Sequence, residues 1–233
     1  MKKLFNAKNL MRFIFLSFIG SIVYIIVRIV LAPTVAPSSE ITVRVKGDYV
    51  LMLVQCTLGA LAMMLPGFLR RRVRLNIPTG MMIAYALFLY SAIYLGEVRN
   101  FYYAVPHWDT ILHTFSGVAL GALGFSVVSL LNRSESVYFS LSPAFVAIFA
   151  FCFALSLGVI WEIYEFAVDS LMDINMQKYA LESGEPLVGQ AALMDTMKDL
   201  IVDALGALAV SIVGYISIKH NKGWLERFQV KHS

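Results

Sequence analysis

Six apolar runs, at residues 13–32, 49–69, 80–96, 108–131, 143–172 and 195–218, constrain this chain more than any other feature of its sequence. Each is long enough, or nearly so, to cross the ~30 Å hydrocarbon core of a bilayer as a helix. Within lipid every backbone N–H and C=O must be satisfied inside the segment or in a closed barrel. The expected architecture is therefore all-α: a polytopic transmembrane bundle of six helices, forming a single integral membrane domain over residues 1–233. Composition agrees, because 59% hydrophobic and 15% charged residues lie far from the ~45–50% and ~25% of soluble domains. The formal charge of +4 does not point to nucleic acid, since the basic residues sit in short clusters beside apolar runs. Cys56 and Cys152 both fall inside apolar runs without a ligand or disulfide spacing, and are expected to be packing residues.

Those basic clusters orient the chain. With a cytoplasmic N-terminus, the inner segments hold 13 basic residues: Lys2, Lys3, Lys8, Arg12, Arg70, Arg71, Arg72, Arg74, Arg133, Lys219, Lys222, Arg227 and Lys231. The outer loops hold five: Arg44, Lys46, Arg99, Lys178 and Lys198. The positive-inside bias favours both termini inside, in a bacterial cytoplasmic membrane. The run at 13–32 is too long for a signal-peptide core and Pro37 follows Ala36 directly, so it is expected to stay as an anchor. Arg28, inside that run, is expected to snorkel to the interface, with pairing to the acidic cluster of the later runs as the alternative.

The polar residues of the spans are not scattered. Glu162, Glu165, Asp169 and Asp173 fall at the end of the fifth run and, at ~100° per residue, form one narrow stripe. Asp109 and His113, four apart at the start of the fourth run, share a face. Asp195, Asp199 and Asp203 repeat every four residues at the start of the sixth. The orientation set by charge brings all three stripes to the outer leaflet, and they hold eight of the chain's 15 acidic residues. Carboxylates packed together repel unless a positive group sits among them. Oxygen ligands with an imidazole suit Mn, Fe, Zn or Mg better than Ca, and helical bundles build such sites from inward-facing side chains. The expected metal ligands are His113, Glu162, Glu165, Asp195 and Asp199, with Asp109 or Asp203 orienting a ligand or moving a proton. The structural alternative is an acidic rim in water, with Asp109 and Asp195 as helix caps and His113 as a satisfied buried histidine.

Small residues at Gly117, Gly121 and Gly124 in the fourth run, and at Gly206, Ala207, Ser211 and Gly214 in the sixth, predict a close contact between these two helices. That contact would bring His113 near Asp199. The tyrosines and tryptophans Tyr90, Tyr94, Tyr102, Tyr103, Trp108, Trp161 and Tyr164 read first as an interfacial belt and second as walls of a lipid-shaped pocket. No phosphate-binding glycine loop, dinucleotide fingerprint or Ser-His-Asp order is present.

Three segments taken together, HWDTILHTFSG (107–117), WEIYEF (161–166) and DTMKDLIVDALGA (195–207), resemble the YjdF-like family of bacterial integral membrane proteins over about residues 80 to 215. The resemblance implies a polytopic helical protein with matching positions at Asp109, His113, Glu162, Glu165, Asp195 and Asp199, and implies no particular reaction. Where family members often carry a Gly-Thr-Gln-Gly-Asp-like segment before the last helix, this chain has Val188-Gly189-Gln190. The functional expectation is a membrane-embedded, metal-dependent enzyme acting on a lipid-linked or amphipathic substrate. A proton- or cation-coupled transporter or channel and a non-catalytic membrane assembly factor are the alternatives.

Overall fold

The computed structural model of the chain describes residues 7–34, 44–132, 141–172, 174–181, 184–224 and 230–232. Its helices are α1 (Ala7–Leu31), α2 (Lys46–Phe68), α3 (Thr79–Leu89), the single turn α4 (Phe101–Ala104), α5 (Trp108–Asn132), α6 (Pro143–Met172) and α7 (Gln190–Lys219). Two of them continue as wider π-helix, α2 through Leu69–Val73 and α3 through Tyr90–Val98. Among the described residues, six helices are long and apolar enough to cross a membrane, so the all-α bundle of six spans is the observed fold.

Local chemistry explains where these helices start and stop. Pro143 opens α6 as expected, because Ser142 precedes it and accepts the Phe145 N–H on its hydroxyl at 3.2 Å. α2 begins three residues before the expected Tyr49, since Asp48 reaches back to the Val45 N–H at 2.8 Å and caps the first turn. It ends at Phe68, but the helical path continues as π-helix over Arg70, Arg71 and Arg72, past residue 69 where the run was expected to end. Pro66 lies inside it and the π turn Leu69–Val73 follows, as is common where a proline breaks the i to i−4 ladder. Arg74, in the left-handed region at φ 57°, ends that turn. α7 starts at Gln190, five residues before the expected Asp195, directly after Gly189 at φ +63°.

The chain divides into two compact units, described separately: residues 1–63, 89–108 and 161–198 form one, and 64–88, 109–160 and 199–233 the other. In the first, α1 buries Ile14, Phe18, Ser21 and Ile25, a spacing of four, three and four that makes one helical face. Ile25, Ala32, Tyr49, Met52 and Cys56 form a core with Ile93 and Val98 of the π segment packed on it. Arg28 is partnered within this unit: its Nε donates to the Tyr49 hydroxyl at 3.0 Å and its guanidinium lies 5.3 Å from the ring centre. Trp108 donates its indole N–H to the Ser91 carbonyl at 3.2 Å, and Tyr90 and Tyr94 stack at 4.9 Å. Several belt aromatics therefore serve as internal packing.

In the second unit, Phe125, Val128, Val146, Ala147 and Ala150 form the core between α5 and α6. The contact expected between the fourth and sixth runs is present as α5 against α7. A Cβ at Gly117 would collide with the backbone of Asp203, and one at Gly206 would lie 2.6 Å from the Thr114 carbonyl oxygen. Gly124 plays the same part against α6, where a Cβ would sit 2.8 Å from the Cα of Ala150. A short antiparallel pair, β1 (Leu75–Asn76) with β2 (Lys231–His232), joins the region after α2 to the C-terminal residues. Of the two cysteines, Cys56 is buried as expected, whereas Cys152 is exposed and belongs to an outward apolar face of α6.

Candidate metal centre

Asp109, His113 and Ser116 occupy the first turns of α5, and Asp199 and Asp203 face them from α7 within the second unit. The glycines make this possible. With Gly117 against the Asp203 backbone and Gly206 against Thr114, the two helices approach closely enough for short side chains to meet. His113, Asp199 and Asp203 are 8%, 2% and 3% exposed. The polar groups therefore interact with one another in a low-dielectric setting.

His113 is held at one nitrogen. Its Nδ1 lies 3.2 Å from Asp203 Oδ2, and the Ser116 hydroxyl lies 2.7 Å from Asp203 Oδ1 and 2.8 Å from the His113 carbonyl oxygen. The carboxylate is the stronger acceptor of the two for the hydroxyl proton. Gly158 of α6 leaves room for this carboxylate, because a Cβ there would come within 2.8 Å of Asp203 Oδ2. A carboxylate on Nδ1 favours a proton on that nitrogen, which would leave the Nε2 lone pair for an ion.

Nε2 faces two further carboxylates, Asp109 Oδ1 at 3.7 Å and Asp199 Oδ2 at 4.0 Å. Both separations exceed a hydrogen bond. They match two ligand atoms sharing one ion, since metal–ligand lengths of ~2.0–2.2 Å place such atoms ~3–4.4 Å apart. One ligand atom each from Asp109, His113 and Asp199 fall within 4.8 Å of one another. Asp109 thus stands among the candidate ligands, where the sequence suggested an orienting or proton-moving part. Asp203 stands behind the imidazole. Ser116 and Gly158 were not singled out in the sequence, although Ser116 follows Asp109 by seven residues on the same helical face.

The remaining expected residues lie in the first unit. Glu162, Glu165 and Asp169 are all buried. Glu165 accepts the Trp161 indole N–H at 3.0 Å. Asp169 accepts the backbone N–H groups of Met176 and Gln177 at 2.7 and 2.9 Å, which fixes the turn after α6. Gln177 continues that link to the Thr196 hydroxyl at 2.9 Å. Asp195 pairs with Lys178, with both carboxylate oxygens at 3.0 and 3.2 Å. Asp173 lies outside the described residues.

Known proteins place the chain without giving it a reaction. A protein of Thermotoga maritima described as "Uncharacterized protein" is 30% identical over 138 residues, 59% of this chain and 62% of the relative, so the match spans less than two thirds of that protein. No solved structure matches. The family model described as "Predicted membrane protein (DUF2238)" matches residues 21–220. That range takes in five of the six spans whole and the second part of the first, together with every residue of the His113 cluster, and it agrees with the YjdF-like resemblance. The chain belongs to this family of membrane proteins.

Proposed function

We propose that the protein is a membrane-embedded, metal-dependent enzyme whose divalent ion is held by Asp109, His113 Nε2 and Asp199. The observation that carries this reading is the two-sided environment of His113. Asp203 takes Nδ1 at 3.2 Å, and Nε2 faces two carboxylate oxygens at ion-bridging separation. Carboxylate–histidine–metal arrangements are built this way. One imidazole and two carboxylates suit Zn, Mn or Fe, and also Mg if water completes the shell. Three protein ligands leave positions open, and an ion so held supplies Lewis-acid chemistry. Around it, Asp203 keeps the proton on Nδ1 and Ser116 fixes that carboxylate.

The substrate is lipid-linked or amphipathic. The cluster lies on apolar spans, and beside it the same turns of α5 border an open apolar groove of about 370 Å³ lined by Thr110, Ile111, Thr114, Phe115 and Val118. The protein sits in a bacterial cytoplasmic membrane with both termini inside and the cluster toward the outer leaflet, as the bias of 13 basic residues to five supports. The continuous chain Ser116–Asp203–His113 also supports a second reading, ion coupling in a transporter.

Thermal melting in detergent separates the two. An ion bound only to the folded state stabilises it by about 2.7 kcal/mol at a hundredfold excess over Kd. Chelator is therefore expected to lower the wild-type Tm, while His113→Ala and Asp199→Asn abolish that response and Asp195→Asn retains it. A wild-type Tm indifferent to chelator but dependent on pH or monovalent cation through His113 would favour coupling. Glu162→Gln and Glu165→Gln, melted the same way, test the two carboxylates expected from the sequence.

A further inference from the structure

The end of the second unit away from the His113 cluster carries a basic surface. Asp199 and Lys219 are twenty residues apart on α7, about 30 Å at ~1.5 Å per residue, or one hydrocarbon thickness. Arg70, Arg71 and Arg72 are all exposed on the π turn that ends α2. Directly beneath them on the same helix, Met64, Leu65 and Phe68 are 59%, 46% and 56% exposed. Basic groups above an exposed apolar band are what a phospholipid needs, with its acyl chains along the band and its phosphate at the guanidinium groups.

The chain also gathers further cations at this end. β2 pairs with β1 in the register Asn76↔Lys231, which returns the C-terminal residues to the chain just after Arg74. The residues after α7 stay within reach of it, since only five residues lie between Trp224 and Val230, a span of at most ~22 Å. Exposed Lys219 and Lys222 come with that helix end. The backbone N–H of Trp224 donates to the Ser217 hydroxyl at 3.0 Å, and Lys222 Nζ lies 4.8 Å from the Trp224 ring centre. A topology signal requires only charge on a flexible segment. Here the backbone of Arg70, Arg71 and Arg72 is set in a π turn, and Lys222 lies over the Trp224 ring.

We propose that this surface is a binding site for anionic phospholipid headgroups, with Arg70, Arg71 and Arg72 as its main cations and Lys222–Trp224 as its interfacial anchor.

Full-length protein in a neutral detergent is titrated with phosphatidylglycerol, with phosphatidylcholine and with inorganic phosphate. Tm is followed, and retained lipid is counted by native mass spectrometry. Phosphatidylglycerol is expected to raise the Tm and be retained, whereas phosphatidylcholine and inorganic phosphate leave the Tm unchanged. The triple variant Arg70→Gln/Arg71→Gln/Arg72→Gln should need roughly a hundredfold more phosphatidylglycerol for the same shift, with its chelator response intact. Lys222→Gln, on a separate element, should weaken the response to a smaller degree. Equal responses to the two lipids, an unaltered phosphatidylglycerol response in the triple variant, or a response reproduced by inorganic phosphate would each overturn the proposal.

Discussion

His113 is defined by what its two nitrogens meet. Asp203 fixes one at 3.2 Å, and Asp109 and Asp199 surround the other at 3.7 and 4.0 Å. Asp203→Asn leaves the packing almost unchanged but removes the charge that sets the tautomer. It is expected to weaken metal binding by about 10–100-fold, measured by titrating ion into protein stripped with chelator. Ser116→Ala should weaken it less, because the carboxylate stays and loses one of its fixing bonds. Affinities of Asp203→Asn and wild type that agree within error would remove Asp203 from the site. The i, i+4 pairs Asp109/His113 and Asp199/Asp203 were legible in the sequence, since spacing alone puts them on common faces. The role of Ser116 was not. Hydroxyls in these spans commonly bond their own helix carbonyls, as Ser21 does to Ser17 and Thr57 to Leu53. Only the rotation of α5 against α7 lets Ser116 reach Asp203 as well.

At the scale of elements, the packing of α5 on α7 positions the cluster. Gly117→Leu and Gly206→Leu force the helices apart and are expected to destabilise the protein by about 1–3 kcal/mol or more, while also removing the chelator response. A Cβ at Gly20 or Gly67 would meet nothing within 4 Å, so leucine there should not lower the Tm. If all four variants melted alike, close approach would not hold the cluster. Small-residue spacing made this contact readable, and apolar length made the spans readable. The π segments were not readable, because hydropathy does not distinguish i→i+4 from i→i+5 bonding. The π turn at Leu69–Val73 accompanies Pro66, while Tyr90–Val98 has no proline within it. Nor was the early start of α7 readable. Its first turn holds Gln190, Ala191 and Ala192, residues that favour helix without marking a membrane span.

For the whole molecule, topology and metal content are the quantities to measure. α7 separates Glu185 from His220, both exposed. Cysteine at Glu185 should react with an impermeant thiol reagent on intact cells (spheroplasts where an outer membrane is present), and cysteine at His220 should react only after lysis. The opposite pattern would move the cluster to the cytoplasmic leaflet. The acidic residues outside the second unit show what the sequence left open. Glu162, Glu165 and Asp169 form a stripe as regular as those of the cluster, and Asp195 continues the stripe of Asp199 and Asp203, yet Asp169 fixes a turn and Asp195 pairs with Lys178. Periodicity places a carboxylate on a face, and the partner across from it decides its part. Whether Asp109, His113 and Asp199 hold an ion is decided by elemental analysis of the purified full-length protein, wild type against His113→Ala and Asp199→Asn. About one divalent ion per wild-type chain is expected, lost from both variants while they remain folded. Wild-type protein without stoichiometric metal after loading with Zn, Mn, Fe or Mg, or variants that retain it, would rule out an ion at these three residues.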